Sequence, residues 1–246
     1  MLEPADLMQA VSESFRRGSL AGLNVVVTAG PTREPLYPVR YLSNRSSGKM
    51  GYAVAAAAHE AGATVCLVSG PVSLDPPPGV QLVLVESAQD MLTEVMARTS
   101  DCDIFIAAAA VADYQPAERA QHKVKRQAND WALSLKPAPD VLASVAASQP
   151  RPFCVGFAAE TEQLQQHAQR KRLHKGIEMI AANQVGEGQG FDVDENALLL
   201  VWEGGQLQLE KDTKYRLAVR LIEQVAGIYK TSTQFNQTEH HAKHSA

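Results

Sequence analysis

Short apolar runs of strand length alternate with helical segments along most of the chain, and this alternation is what most restricts its fold. The first run spans residues 23–29 and ends at Gly30 and Pro31. Runs of this kind, apolar on both faces, are typical of parallel strands that helices cover on either side. Further strands are predicted at residues 64–69, 80–85, 104–110, 153–158 and 179–182, with helices at 50–61, 87–98, 138–147 and 161–174. Because this alternation is typical of parallel α/β sheets, the sequence predicts an α/β fold, a Rossmann-like parallel sheet flanked by helices.

The pattern changes after Gln184. Residues 197–202 and 206–210 flank Gly204 and Gly205, which predicts a C-terminal β-hairpin extension. An amphipathic helix is predicted at 214–229, and the polar segment after it has no apolar period and is predicted to be disordered. The predicted organisation is therefore a lead-in or linker at 1–20, one domain at 21–230 and a disordered tail at 231–246.

Composition excludes several classes of protein. A chain of 246 residues, 45% of them hydrophobic, can bury one large core. The net charge of −4 provides no overall basic field, so neither nucleic acid nor an anionic membrane is an expected partner. No apolar run predicts a signal peptide or a membrane span, and we expect a cytoplasmic protein. The three cysteines, Cys66, Cys102 and Cys154, lie far apart in or beside predicted strands and are interpreted as buried, reduced thiols.

A long connection follows the first predicted strand, GPTREPLYPVRYLSNRSSGKMG at residues 30–51. About twenty residues far exceed the usual length of such a connection, which favours a functional loop. Its end, Ser46, Ser47 and Gly48, precedes a helix whose free N–H groups and dipole attract phosphate. The alternative is that Ser46 or Ser47 only caps the helix, and the sequence favours neither reading. Neither a Walker loop nor a GxGxxG motif is present.

Three further segments follow predicted strands. The sequence AAAAVADY at 107–114 would let a flat ligand approach the backbone, with Asp113 offering a carboxylate to a sugar hydroxyl or a metal. HKVKR at 122–126 alternates so that Lys123 and Lys125 share one side, as in a flap over an anion. Phe157 could stack on a base near Lys171 and Lys175, which share a helix face. Each segment also has a purely structural alternative. Residues 107–114 could be small-residue packing with Asp113 as a cap, and residues 122–126 could be a solvated charged run. Phe157 could be a core aromatic beside an ordinary surface.

These segments together closely resemble the phosphopantothenoylcysteine synthetase (phosphopantothenate–cysteine ligase) family, which in many bacteria forms the C-terminal half of a bifunctional flavoprotein. The resemblance covers residue 23 to about residue 229. Its most specific parts are TAGPTREPLYPVRYLSNRSSGKMG, AAAVADY, KVKR, PDVL and GFAAET.

The resemblance implies two steps of coenzyme A synthesis in one site. The carboxylate of 4'-phosphopantothenate attacks the α-phosphorus of CTP and releases pyrophosphate, which leaves an acyl-cytidylate. The amine of L-cysteine then attacks this intermediate and expels CMP. Mg²⁺ is the expected cofactor with CTP, and no flavin is expected in this domain.

The resemblance also implies roles for individual residues. Asn44 would hold the acyl intermediate, and Lys123 would contact the carboxylate or the triphosphate, which makes these two the catalytic candidates. The implied nucleotide-binding residues are Ala107, Ala108, Ala109, Asp113, Lys123, Pro139, Asp140, Val141, Leu142, Phe157, Lys171 and Lys175. The implied substrate-binding residues are Asn44, Ser46, Ser47, Gly48, Ala109 and Ala110.

One position departs from the family pattern, since Ala138 stands where the family usually has Asn or Thr and cannot make a side-chain hydrogen bond. A homodimer is expected, with its contact at the hairpin of residues 197–210. The decarboxylase half of the bifunctional family members has no counterpart in this sequence, although residues 1–20 resemble the linker between the halves. Two rival functions are a Rossmann-type NAD(P)-dependent oxidoreductase and a non-catalytic nucleotide-binding subunit. Against the oxidoreductase, the sequence contains neither a GxGxxG motif nor a Tyr-x-x-x-Lys pair.

Overall fold

The computed structural model describes residues 18–125, 131–160, 162–184 and 194–243, with side chains of the last helix described up to residue 233. The strands are β1 Asn24–Ala29, β2 Arg33–Tyr37, β3 Arg40–Ser43, β4 Thr64–Ser69, β5 Gln81–Leu84, β6 Ile104–Ala107, β7 Tyr114–Pro116, β8 Leu135–Pro137, β9 Phe153–Glu160, β10 Met179–Gln184, β11 Glu195–Trp202 and β12 Gly205–Thr213. The helices are α1 Lys49–Glu60, α2 Ala88–Met96, α3 Val141–Ala146, α4 Leu164–Lys175 and α5 Lys214–Lys243.

Eight of the described strands form one sheet in the order β12-β11-β10-β9-β6-β1-β4-β5. The six strands from β10 to β5 pair in parallel. β11 and β12 add an antiparallel hairpin at the β10 edge. The predicted fold class, a Rossmann-like sheet with a C-terminal hairpin extension, is therefore confirmed.

Helices cover both faces of this sheet, as the apolar strand sequences require. In β1, Val25 and Val27 are buried with α1 and α5 on one face, while Val26 is buried on the other face with α2, α3 and α4. The alternation follows from the two-residue period of a strand. Gly51 allows α1 to lie directly on β1, because a Cβ atom at that position would come within 2.6 Å of the Ala29 Cβ.

A capping box begins α2. The Ser87 hydroxyl accepts a hydrogen bond from the Asp90 N–H at 3.1 Å, and the Asp90 carboxylate accepts one from the Ser87 N–H at 2.9 Å. This reciprocal pair fixes the start of the helix.

Several boundaries differ from the predictions. The strand predicted to reach residue 110 ends at Ala107, and α3 begins at Val141 rather than at residue 138 because Asp140 is its N-cap. The last helix continues to Lys243, where the sequence predicted a helix end at residue 229 and a disordered segment. Continuous helical backbone does not need an apolar face beyond the domain, so periodicity underestimated its length. The predicted lead-in at residues 1–20 lies largely outside the described residues, as do Arg126 and Thr161.

Two small sheets were not predicted. β2 and β3 form an antiparallel pair within the long connection after β1, and β7 and β8 form another. Pro35 lies inside the first pair and the register is irregular beside it. Prolines at positions 116 and 137 lie in the second pair. Proline lowers the strand signal because it cannot donate to a ladder, so both segments were interpreted as loops.

Candidate active site

The carboxyl ends of β1, β6 and β9 meet at one edge of the sheet, which is where ligands bind in open parallel sheets. The segment after β6 continues beside the segment after β1. The N–H of Ala110 donates to the Gly30 carbonyl at 2.9 Å, and the N–H of Ala112 donates to the Thr32 hydroxyl at 3.0 Å. These bonds hold the alanine-rich segment against the first loop and shape two adjoining cavities.

The smaller cavity has a volume of about 260 Å³ and combines apolar walls with two lysines. Lys171 and Lys175 both line it, as expected for residues one helical turn apart on one face of α4. The Lys171 ammonium donates to the Phe157 carbonyl at 3.3 Å, and Phe157 is half-buried at the cavity wall. The other residues that line the smaller cavity are Thr28, Ala107, Ala109, Val111, Ala112, Asp113, Ala138, Pro139, Asp140, Val141 and Leu142.

Asp140 fixes one side of this cavity in two ways. Its carboxylate caps α3 by accepting the Ala143 N–H at 2.9 Å, and it also forms an ion pair with the Lys175 ammonium. Partial burial acts to raise the pKa of Asp140, but the bonds from Lys175 and Ala143 outweigh it and hold that pKa below its usual value. The carboxylate is therefore charged at neutral pH and orients Lys175 at the cavity.

The larger cavity has a volume of about 460 Å³ and adjoins the smaller one, since both are lined by Asp113, Phe157 and Lys171. The Ser46 to Gly48 turn forms one wall. Gly48 is the N-cap of α1 with φ of +75°, a backbone conformation that favours glycine, and no side chain caps the helix. The first turn of α1 contains no acidic residue, so its N-terminal N–H groups and dipole favour an anion at this wall.

The role of the two serines differs from simple capping. The Ser46 hydroxyl accepts the Gly48 N–H at 3.3 Å, which stabilises the turn before the helix. The N-cap itself is Gly48, so the capping alternative weighed for Ser46 and Ser47 is wrong. The other alternative of that turn, phosphate binding, stays a proposal.

Asn44 connects the first loop to the alanine-rich segment. Its Nδ2 atom donates to the carbonyl oxygens of Ala110 and Val111 at 3.0 and 3.2 Å. Because Ala110, Val111 and Asn44 all line the larger cavity, the side chain of Asn44 fixes the shape of that cavity as well as facing its contents.

Asp113 offers an exposed carboxylate to both cavities. Its backbone carbonyl accepts the Ala138 N–H at 2.9 Å, so the position where the family usually has Asn or Thr is held by its backbone. No described helix begins at Asp113, which removes the helix-cap alternative for this residue.

The structure brings nearly all of the predicted site residues together. The predicted substrate-binding residues all line the larger cavity, and the predicted nucleotide-binding residues other than Ala108 and Lys123 line the smaller one. Ala108 lines the larger cavity. Lys123 is exposed and is not among the residues lining either cavity, so one chain in this conformation does not bring it to the site.

Sequence reasoning missed several polar residues of the larger cavity. Arg45 and Lys49 belong to the long connection of residues 30–51 that was predicted to be functional, but they were not named as site residues. The other missed residues belong to segments that were not considered as parts of a site: Asn183, Asn196 and Lys214. The usable signal was positional, because Asn183 lies near the end of a parallel strand and Lys214 directly follows β12 at the same edge.

The remaining chemistry-bearing groups of the described residues are not arranged as a metal site. No group of three or more His, Cys, Asp or Glu side chains there could hold a metal ion. The cysteines are free thiols, and burial raises the pKa of Cys102 and of Cys154 to about 12. No helix among the described residues combines the length and apolar character that crossing a bilayer needs.

Fold and site together define a Rossmann-like α/β protein with a cationic site of two chambers at the carboxyl edge of its sheet. Residues 20–229 match the family model described as DNA/pantothenate metabolism flavoprotein, C-terminal domain, and the chain belongs to that family.

Similar proteins include the coenzyme A biosynthesis bifunctional protein CoaBC of Vibrio vulnificus strain YJ016, 46% identical over 229 residues, which cover 92% of this chain and 57% of that protein. The CoaBC protein of Escherichia coli strain K12 is 46% identical over 235 residues, covering 93% of this chain and 58% of that protein. The chain thus spans a little over half the length of the curated relatives it matches.

Two solved structures are also similar. The crystal structure of the C-terminal domain of a CoaBC protein has a TM-score of 0.75 and 36% identity, and the match covers 87% of this chain and 99% of that one. A complex of the Cab2 mutant H337A with phosphopantothenate-cysteine has a TM-score of 0.71, with 94% and 96% coverage. At 17% identity, this second structure shows similarity of fold alone.

Proposed function

We propose that this chain joins 4'-phosphopantothenate and L-cysteine to form 4'-phosphopantothenoylcysteine, with CTP activating the acid as an acyl-cytidylate. The observation that carries the proposal is the pair of cavities that share Asp113, Phe157 and Lys171. A ligase that first couples an acid to a nucleotide needs two such chambers, one for each reactant, that meet where the carboxylate reaches the α-phosphorus.

The smaller cavity suits the nucleotide. Phe157 supplies an aromatic surface for a base, and Lys171 and Lys175 supply positive charge for phosphates. Attack of the carboxylate oxygen on the α-phosphorus breaks the bond to the bridging oxygen, and pyrophosphate leaves with both electrons of that bond. Lys171 lies in both chambers and stabilises the negative charge that develops at their junction.

The larger cavity suits the acid and its activated form. Asn44 holds the acyl-cytidylate while the cysteine amine attacks the acyl carbon, CMP leaves, and the amine nitrogen loses a proton. The hydrogen bonds from Asn44 to Ala110 and Val111 pre-organise this wall, so little reorganisation is needed as the tetrahedral centre forms.

Mg²⁺ fits this site as a partner of the nucleotide rather than as a resident of a protein cage. The ion usually binds substrate phosphates with one or two carboxylates, and Asp113 provides one exposed carboxylate in both chambers. When bound, Mg²⁺ would neutralise triphosphate charge. We propose no flavin in this domain.

The similar proteins support the proposal from a second direction. The CoaBC relatives carry coenzyme A biosynthesis in their names, and the Cab2 complex contains phosphopantothenate-cysteine. Because those relatives are longer, we propose that this domain works with a decarboxylase domain, in the same chain or in another one. No comparable observation favours an NAD(P)-dependent oxidoreductase.

We propose a homodimer, in keeping with the sequence expectation, but favour a different surface from the hairpin of residues 197–210. Large exposed apolar side chains lie on the two small sheets, at Tyr41, Tyr114 and Leu135, and on the turn between β2 and β3, at Val39, and the described hairpin carries none. Exposed apolar surface of this kind marks protein interfaces. Lys123 follows β7 in the chain, so its proposed role requires its segment to move or a second protomer to deliver it.

Product analysis tests the proposed function. The protein is mixed with phosphopantothenate, CTP, Mg²⁺ and cysteine, and we expect phosphopantothenoylcysteine, CMP and pyrophosphate in equal amounts. A mixture without cysteine should release pyrophosphate but form no amide. Binding of CTP without pyrophosphate release would favour the non-catalytic subunit, and stabilisation by NADPH but not by CTP with Mg²⁺ would favour the oxidoreductase.

A further inference from the structure

Glu34 is a buried carboxylate that the proposed chemistry does not use. It lies on β2 and is only 2% exposed. Its Oε1 atom accepts the N–H of Ala88, the first residue of α2, at 2.9 Å. Burying a carboxylate is costly unless hydrogen bonds compensate for the lost water, and the positive N-terminal end of a helix stabilises such a group. This bond therefore fixes the Glu34 side chain and joins β2 to α2.

The start of α2 is a firm support for β2. Ala88, Met91 and Val95 of this helix are buried, and the last two belong to the core on one face of the sheet. A second bond lies beside the first, since the N–H of Arg33 donates to the Glu86 carbonyl at 2.7 Å. The two bonds together hold the hairpin of β2 and β3 against the core.

The second strand of this hairpin leads directly to Asn44. Arg33 of β2 pairs with Ser43 of β3, and the Ser43 hydroxyl donates to the Thr32 carbonyl at 2.8 Å. Asn44 is the next residue in the chain, and its amide donates to the alanine-rich segment of the larger cavity. A shift of the hairpin relative to α2 would therefore displace Asn44 from these acceptors.

We propose that Glu34 is a positioning residue that sets the place of Asn44 in the larger cavity by holding the hairpin of β2 and β3 on α2. Glu34 is not among the residues lining either cavity, so it acts through Asn44 and not on a reactant. This inference rests on the proposed function, in which Asn44 serves the second half-reaction.

The test compares variants that keep or remove the acceptor of Glu34. Glu34→Met keeps the length of the side chain without the acceptor, and Glu34→Gln retains an acceptor oxygen. Ser87→Ala is the matched control, because Ser87 caps the same helix and its described bonds stay within the start of α2. Pyrophosphate release without cysteine, amide formation with it, the melting temperature and hydrogen exchange of residues 32–46 are measured for each protein.

Glu34→Met should form amide roughly ten- to a hundredfold more slowly, the effect of a small displacement of a reacting wall, and should release pyrophosphate within about threefold of the wild type. Glu34→Gln should stay within about threefold of the wild type in both reactions, because the bond to Ala88 is retained. Ser87→Ala should match the wild type in both reactions while melting about 2–4 °C lower. Residues 32–46 should exchange faster in Glu34→Met than in the wild type or in Ser87→Ala.

A double variant separates positioning from general destabilisation. Added to Asn44→Asp, Glu34→Met should slow amide formation by less than about threefold more, because no amide is left to position. Losses that multiply would show that the two residues act independently and would overturn the inference.

The inference would also fail if Glu34→Met slowed both half-reactions equally, if Glu34→Gln lost as much as Glu34→Met, or if the exchange of residues 32–46 did not change. Should Glu34→Met not unfold cooperatively, Glu34→Asp, with a side chain one methylene shorter, takes its place, and failure of both would make Glu34 a folding residue and overturn the inference. A wild-type protein that forms no product would refute the proposed function instead, and the exchange of residues 32–46 would still decide whether Glu34 holds the hairpin.

Discussion

Replacing Asn44 by Asp separates the two proposed half-reactions. The change keeps the shape of the side chain but replaces an amide donor by a carboxylate. In the structure the amide donates to the carbonyl oxygens of Ala110 and Val111, so both hydrogen bonds are lost and a negative charge then faces two carbonyl oxygens.

The size of the effect follows from those bonds. Each neutral hydrogen bond contributes about 1 kcal/mol, and the repulsion at the carbonyl oxygens adds about 1 kcal/mol more. A total of about 2–3 kcal/mol corresponds to a loss of roughly 30- to 150-fold in any step that depends on this wall of the larger cavity. Asn44 is not among the residues lining the smaller cavity, so nucleotide activation should be less affected.

The assay measures pyrophosphate release without cysteine and amide formation with it. We expect Asn44→Asp to release pyrophosphate at a rate within about tenfold of the wild type and to form amide at least about thirtyfold more slowly. Asn183→Asp is the matched control, because it adds the same charge to the same cavity without the contacts to Ala110 and Val111. Equal loss in both half-reactions, or equal behaviour of the two variants, would refute this role of Asn44.

Three other predictions concern separate parts of the chain. Lys123→Gln should slow pyrophosphate release by roughly ten- to a thousandfold. Lys136→Gln, which changes an exposed lysine on β8, is the control and should not slow it. Turnover of Lys123→Gln at the wild-type rate would remove Lys123 from the mechanism. Asp140→Ala should lower the free energy of unfolding by about 1 kcal/mol more than Asp140→Asn, because asparagine can still cap α3. The pKa of Asp140 is lowered in the native protein, so the wild type should lose its stability advantage over Asp140→Asn as the pH falls below about 4. A stability difference that grows in acid would contradict the ion pair. Cys102 and Cys154 should react with a thiol reagent at pH 8 far more slowly in the native protein than after unfolding, because their raised pKa leaves little thiolate, and equal rates would contradict their burial.

The core of the fold could be predicted because its sequence pattern is local. Val25, Val26 and Val27 must be buried on both faces of a strand, and a chain that repeats such strands between helices has few ways to do this other than a parallel sheet. The same holds for Lys171 and Lys175, whose spacing on one helix fixes their common direction.

Other parts depended on contacts between distant segments. The hairpin of β2 and β3 was not predicted because Pro35 weakens the strand pattern of its sequence. The two strands pair within the long connection after β1, beside the alanine-rich segment. Lys214 gave only a positional signal, since a lysine at a helix start is ordinary until β11 and β12 bring it to the carboxyl edge of the sheet. Lys123 matched the family motif but lies away from both cavities in one chain, so motif matching predicted its importance without its position.

The two cavities of the site are built by different parts of the sheet. The parallel strands and their loops build the smaller cavity, with Asp140 and Lys175 as a fixed pair, whereas Lys214 and Asn196 reach the larger cavity only through the antiparallel extension. The Rossmann-like core already contributes Arg45, Lys49 and the start of α1 to the larger cavity, and the extension adds the one cation of Lys214. In the proposed reaction the acid is held beside Lys171, where the two chambers meet, within reach of the α-phosphorus, and this proximity replaces a rare collision in solution by a pre-organised encounter.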